Sequence, residues 1–135
     1  RPQTFNVLGV QTTLHVTGPE TNQRLLITEL SLPGGAGIPR HVHTRDDEVF
    51  HVLQGQVMFT LGDREFTAGP QNTVFGPRGV PHGFRTAPTA AARLLVTIAP
   101  AGLEAMFAEL GALPPGPPDP ARVSEIVARY GIAFV

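Results

Sequence analysis

The chain has no cysteine. Disulfide frameworks, thiolate nucleophiles and cysteine-ligated zinc sites are therefore excluded, and any metal must be held by nitrogen and oxygen. Charge is scarce as well: 16% of the 135 residues are Asp, Glu, Lys or Arg, and the net charge is -1. That offers no single-sign field to attract DNA or RNA, so no nucleic-acid partner is expected. Long apolar runs are missing too. None approaches the roughly 20 residues of a spanning helix, and the first residues mix polar and apolar types unlike a signal peptide. No membrane partner and a cytoplasmic location are the expectations. The chain begins at Arg1 without a methionine, which leaves targeting open.

Hydrophobic residues make up 41%, enough for one core, while 15 glycines and 14 prolines punctuate short apolar runs. That pattern predicts an all-β sandwich or barrel. Strands are expected at 12–16, 24–32, 40–43, 48–54, 56–61, 73–75, 82–85 and 93–98. Val57, Phe59 and Leu61 alternate with Gln56, Met58 and Thr60, whose face should point outward. Gly62 and Asp63 make a hairpin turn within residues 56–67.

Beyond Pro100 the periodicity becomes helical. Leu103, Met106, Phe107 and Leu110 form one stripe, "LPPGPPDP" an extended linker, and Asp119 with Pro120 a helix start. Val123, Ile126, Val127 and Tyr130 form a second stripe that Gly131 ends. The expectation is one domain, a barrel over residues 1–100 and a helical segment over 101–135. The segment should pack on the barrel or a partner subunit, with a lid over the site as the alternative.

Three of the five histidines fall within residues 34–56. His41 and His43 are two apart, so on a strand both imidazoles point to one side. "TRDD" reads as a polar turn, after which Glu48 can return to the same face, and His82 arrives on a late strand from the turn "GPRGVPHGF". Such a set leaves coordination positions open, as a metal that activates a small molecule requires. His51 lies three residues past Glu48 and so on the opposite face; His15 reads as a surface residue.

Gly35, five residues, His41-Val42-His43, four residues, Glu48, six residues and Gly55 resemble the first motif of the cupins. Gly69, seven residues, Pro77-Arg78-Gly79, two residues and His82 resemble the second. The resemblance implies a jelly roll of six or more strands with short C-terminal helices. It also implies one divalent metal ion per chain (Fe, Mn, Ni, Co, Cu or Zn) on His41, His43, Glu48 and His82. Thr86 stands where the second motif has asparagine, and Pro70 replaces the acid of the usual "AGD" turn; Asp46 and Asp47 miss the acid position and read as turn residues.

Phe50 and Val52 share the side of Glu48 and Phe84 that of His82, so they should wall a mostly apolar substrate cavity, with Ile38, Val74 and Met58 completing it. The three-histidine, one-glutamate set and the ending "ARYGIAF" resemble the quercetin dioxygenase-like members. That likeness implies cleavage by O2 of an aromatic, flavonol-like or β-diketone molecule, with Glu48 as ligand or general base. A non-redox isomerase, cyclase or decarboxylase stays open, as does a small-molecule-binding module without catalysis. A homodimer is expected because an exposed sheet edge invites pairing.

Overall fold

The structure is a computed structural model that describes residues 2–135. Its strands are β1 (Gln3–Val7), β2 (Val10–Val16), β3 (Leu26–Leu32), β4 (Gly37–His43), β5 (Asp47–Gln54), β6 (Val57–Leu61), β7 (Arg64–Ala68), β8 (Thr73–Gly76), β9 (His82–Arg85), β10 (Ala92–Ala99) and β11 (Ile132–Phe134). Two helices, α1 (Glu104–Gly111) and α2 (Pro120–Ala128), lie between β10 and β11.

The strands form two antiparallel sheets. One has the order β1-β2-β3-β10-β5-β8 and the other β11-β4-β9-β6-β7. Successive strands from β3 to β6 alternate between the sheets in the manner of a jelly roll, so a turn such as "TRDD" carries the chain from β4 in one layer to β5 in the other. The period-2 patterns turn their apolar members into the space between the layers. Leu26, Leu30 and Leu32 of β3, Val52 of β5, Leu94, Val96 and Ile98 of β10 and Val57 of β6 are all buried there. Phe50, Phe59 and Phe84 meet with ring centroids 5.4 to 5.8 Å apart, the tilted contacts that aromatic quadrupoles favour.

The Glu104 carboxylate at the start of α1 accepts from the backbone N–H of Gly18 at 2.7 Å and of Gly102 at 2.8 Å, which ties α1 to the segment that follows β2. Asp119 Oδ1 accepts from the Ala121 N–H at 3.0 Å, with Pro120 in the first turn where its missing N–H costs nothing. Helix α1 packs on β1, and α2 packs on β11. No helix of the described residues is long and apolar enough to cross a membrane.

Two strands were not expected. In β1 only Val7 is buried, so the strand carries little alternation; it forms because the left-handed turn at Leu8 and Gly9 folds it back on β2. The segment 101–135, expected to be helical, ends in β11, three residues that pair with β4. A strand that short has no period to read, and the open edge of β4 is what makes it. Residues 24 and 25 also fall outside β3, because the Thr21 hydroxyl accepts from the Leu25 N–H at 3.0 Å and holds a turn there.

Candidate metal centre

Strand β4 supplies His41 and His43 on one side, both buried. Pro39 precedes them at a register irregularity between β4 and β9, where a residue without an N–H is tolerated. His82, opposite His41 in β9, joins them from the same sheet. Next to it, a Cβ on Gly83 would stand 2.9 Å from the Arg40 backbone nitrogen, so the close approach of β9 to β4 needs glycine. Glu48 does not return across that sheet. It reaches in from β5 of the opposing layer.

The structure brings the four side chains together, with one potential ligand atom from each lying within 4.8 Å of all the others. His41 Nε2 is 3.1 Å from His43 Nε2, and Glu48 Oε1 is 3.0 Å from both His43 Nε2 and His82 Nε2. The outer nitrogens set the tautomers. His41 Nδ1–H donates to the Pro39 carbonyl at 2.8 Å, and His43 Nδ1–H donates to Asp46 Oδ2 at 3.3 Å. Two Nε2 lone pairs then face each other. A proton on His43 would relieve that contact but leave His82 Nε2, buried and without an aligned hydrogen bond, unsatisfied.

A divalent cation would satisfy all of them at once. Separations of 3.0 to 3.1 Å also suit neighbouring ligand atoms each about 2.1 Å from one ion. The residues therefore fit a metal ion, and nitrogen with carboxylate donors accept any of the first-row divalent ions expected above.

The electrostatics are those of a charge-poor pocket with one negative ligand. Burial, with some help from the neighbouring His82, lowers the His41 pKa to about 4. Burial also works against a charged His43, but the carboxylates of Asp46 and Glu48 outweigh it and raise its pKa to about 9. For Glu48, burial opposes ionisation, yet His43 and His82 hold the carboxyl well below its usual range. Glu48 is an anion at any physiological pH.

A cavity of about 80 Å³ opens onto His41, His43 and Glu48. Of the six wall residues expected from the sequence, Phe50, Phe84 and Ile38 line it. Val52 and Val74 are buried in the core without lining it, and Met58 faces an open groove of about 760 Å³ on the outside of the β6 sheet with Thr60, Thr67 and Arg85. Their places are taken by residues the strand patterns could not assign. The roof consists of Leu103 just before α1, Met106, Phe107 and Leu110 of α1, Ile132 and Phe134 of β11, and the tip of the β1–β2 hairpin. The helical stripe was legible, and it covers the cavity, the alternative placement that the sequence offered beside packing elsewhere on the barrel.

His51 points away from the cavity and bonds Thr73 Oγ1 at 2.8 Å and Gln71 Oε1 at 3.1 Å, while His15 sits 3.1 Å from Glu29 on the surface. The two acids read as turn residues part company. Asp47 opens β5 and takes Arg78 in a two-pronged ion pair, tying the β4–β5 crossing to the loop before His82, whereas Asp46 is buried behind His43. Thr86, in the place of the motif's asparagine, is buried, donates to the Pro33 carbonyl at 2.7 Å and accepts from the Ala36 N–H at 3.2 Å.

The family described as "Cupin domain" matches residues 28–98. No curated protein matches the chain. Among solved structures, TT1209 from Thermus thermophilus is 36% identical with a TM-score of 0.55, covering 58% of this chain and 74% of that one. The polyketide cyclase RemF from Streptomyces resistomycificus is 28% identical with a TM-score of 0.63, covering 73% of each chain. KdgF from Halomonas sp. is 19% identical with a TM-score of 0.63, covering 70% of this chain and 81% of that one, a likeness of fold alone.

Proposed function

The chain belongs to the cupin family, and from that premise we propose a metal-dependent dioxygenase that acts with O2 on a small, uncharged, enolisable molecule. One observation carries the reading: the ligand cluster faces an apolar cavity whose only titratable lining groups, among the described residues, are His41, His43 and Glu48. The remaining polar lining is Thr12 and Thr28, whose hydroxyls bond to backbone carbonyls of Val10 and Val96. Among the described residues no lysine or arginine lines the cavity to pair with a substrate carboxylate or phosphate. A substrate must therefore offer apolar surface to the wall and an oxygen to the cluster.

Held by His41, His43, Glu48 and His82, a divalent ion supplies Lewis-acid polarisation of a substrate oxygen and, if redox-active, an electron route to O2. Glu48 is the one carboxylate lining the cavity, so it is the group placed to take the acidic proton as the substrate enolises. Phe50, Phe84 and Phe107 keep water from the reacting carbon. The volume narrows the class. At about 80 Å³ the cavity is smaller than the ~150 Å³ engineered cavity that takes benzene, which favours a short β-diketone over a flavonol.

A second reading is supported by the 28% identity to the polyketide cyclase, since a polyketide also presents enolisable carbonyls. Oxygen uptake during turnover of short β-diketones, with ¹⁸O2 label entering the products, tests the choice. Equal conversion without oxygen on zinc-loaded protein would replace the dioxygenase with the Lewis-acid cyclase. The homodimer belongs to the same proposal. Val49 of β5 and Phe75 of the edge strand β8, 37% and 56% exposed, are register partners, and Phe75→Glu should shift sedimentation from dimer to monomer.

A further inference from the structure

Asp46 does no turn work. Its side chain makes no backbone hydrogen bond among the described residues, in contrast to Asp119, and it is only 4% exposed. A buried carboxylate is costly unless paired, and its ion-pair partner is His43, with Oδ2 3.3 Å from Nδ1. The neighbouring acid, Asp47, takes the nearby Arg78 instead.

We infer that Asp46 is a positioning residue for the metal site, an anionic partner that fixes the tautomer of His43 and supplies the site's second negative charge. The three imidazoles are treated differently. His41 leans on the neutral Pro39 carbonyl, His82 Nδ1 has no hydrogen-bond partner, and His43 alone is backed by a carboxylate. Accepting a hydrogen bond from Nδ1–H leaves His43 Nε2 free to ligate and makes that nitrogen a stronger donor. Charge balance points the same way. Glu48 brings one negative charge to the buried ligand set and Asp46 a second behind it, so a divalent ion can be buried without net charge.

The inference rests on the metal reading above, and Co²⁺ separates the two. Wild-type protein should bind one Co²⁺ per chain; no binding overturns the metal reading and this inference with it. The isosteric Asp46→Asn variant should keep the wild-type circular dichroism, bind Co²⁺ about 10- to 100-fold more weakly and show a shifted Co²⁺ absorption band. Unchanged affinity and spectrum in Asp46→Asn, beside a wild type that binds, overturns the role of Asp46 alone. Should the variant fail to fold, the Zn²⁺-loaded wild type decides. Long-range ¹H–¹⁵N spectra should find the His43 proton on Nδ1, and a proton on Nε2 overturns the inference.

Discussion

Phe134 lies directly opposite His41 across the β11–β4 pair, with the two rings 6.2 Å apart, so β11 roofs a ligand of the candidate metal centre. Phe134→Ala should open the cavity to water and to larger ring substrates without removing a ligand. Because Phe134 is only half-buried, the stability loss should be about 1–2 kcal/mol, below the 3–5 kcal/mol of a fully buried phenylalanine. Urea denaturation and a substrate-size series read the two effects separately.

His41→Ala, His43→Ala and His82→Ala should each remove most of the bound metal, as elemental analysis would show. His51→Ala should leave occupancy at the wild-type level, because His51 bonds Thr73 and Gln71 on the outer face of its sheet. Equal losses from His51→Ala and His43→Ala would contradict the ligand assignment.

Metal binding should release protons well above the ordinary histidine range. With His43 titrating at about 9, protons compete for its ligand nitrogen below that pH. Affinity should then rise about tenfold per pH unit from pH 6 towards 9. Calorimetry in buffers of different ionisation enthalpy counts the released proton. An affinity flat between pH 7 and 9 would place the His43 pKa at its usual value.

The metal-free protein should be most stable near pH 6.5. A native pKa of about 9 for His43 gives a contribution fully present below the unfolded value of 6.5 and lost as pH rises through 9. A native pKa of about 4 for His41 acts in the other direction: the unfolded chain binds more protons between 6.5 and 4, so stability falls as pH drops through that window. Urea midpoints of chelator-treated protein across pH 4 to 9 should trace a maximum between two declines.

Glu48→Gln keeps the size of the side chain but loses both the negative ligand and the base. Turnover should fall by about 10²- to 10⁴-fold while the strand content stays at wild type. Oxygen uptake and far-ultraviolet circular dichroism are the measurements, and undiminished uptake would remove Glu48 from the chemistry.

What could be read from residue order alone is what local geometry decides. Alternation on strands separates Phe50 from His51, and the spacing of His41, His43, Glu48 and His82 marks a set of side chains able to meet. The punctuation by glycine and proline gives an all-β chain, and helical spacing after Pro100 gives α1 and α2. Strand parity says which way a side chain points but is silent on which of two sheets carries the strand. Only the tertiary structure could put Glu48 in the layer opposite the histidines and pack Val52 and Val74 away from the cavity. The same holds for β11, which exists because β4 has an open edge, and for the α1 stripe, which any apolar surface could have taken. Asp46 looked like a turn residue because turns favour aspartate; its role rests on burial against His43, a relation no spacing encodes, since burial is a property of the packed chain.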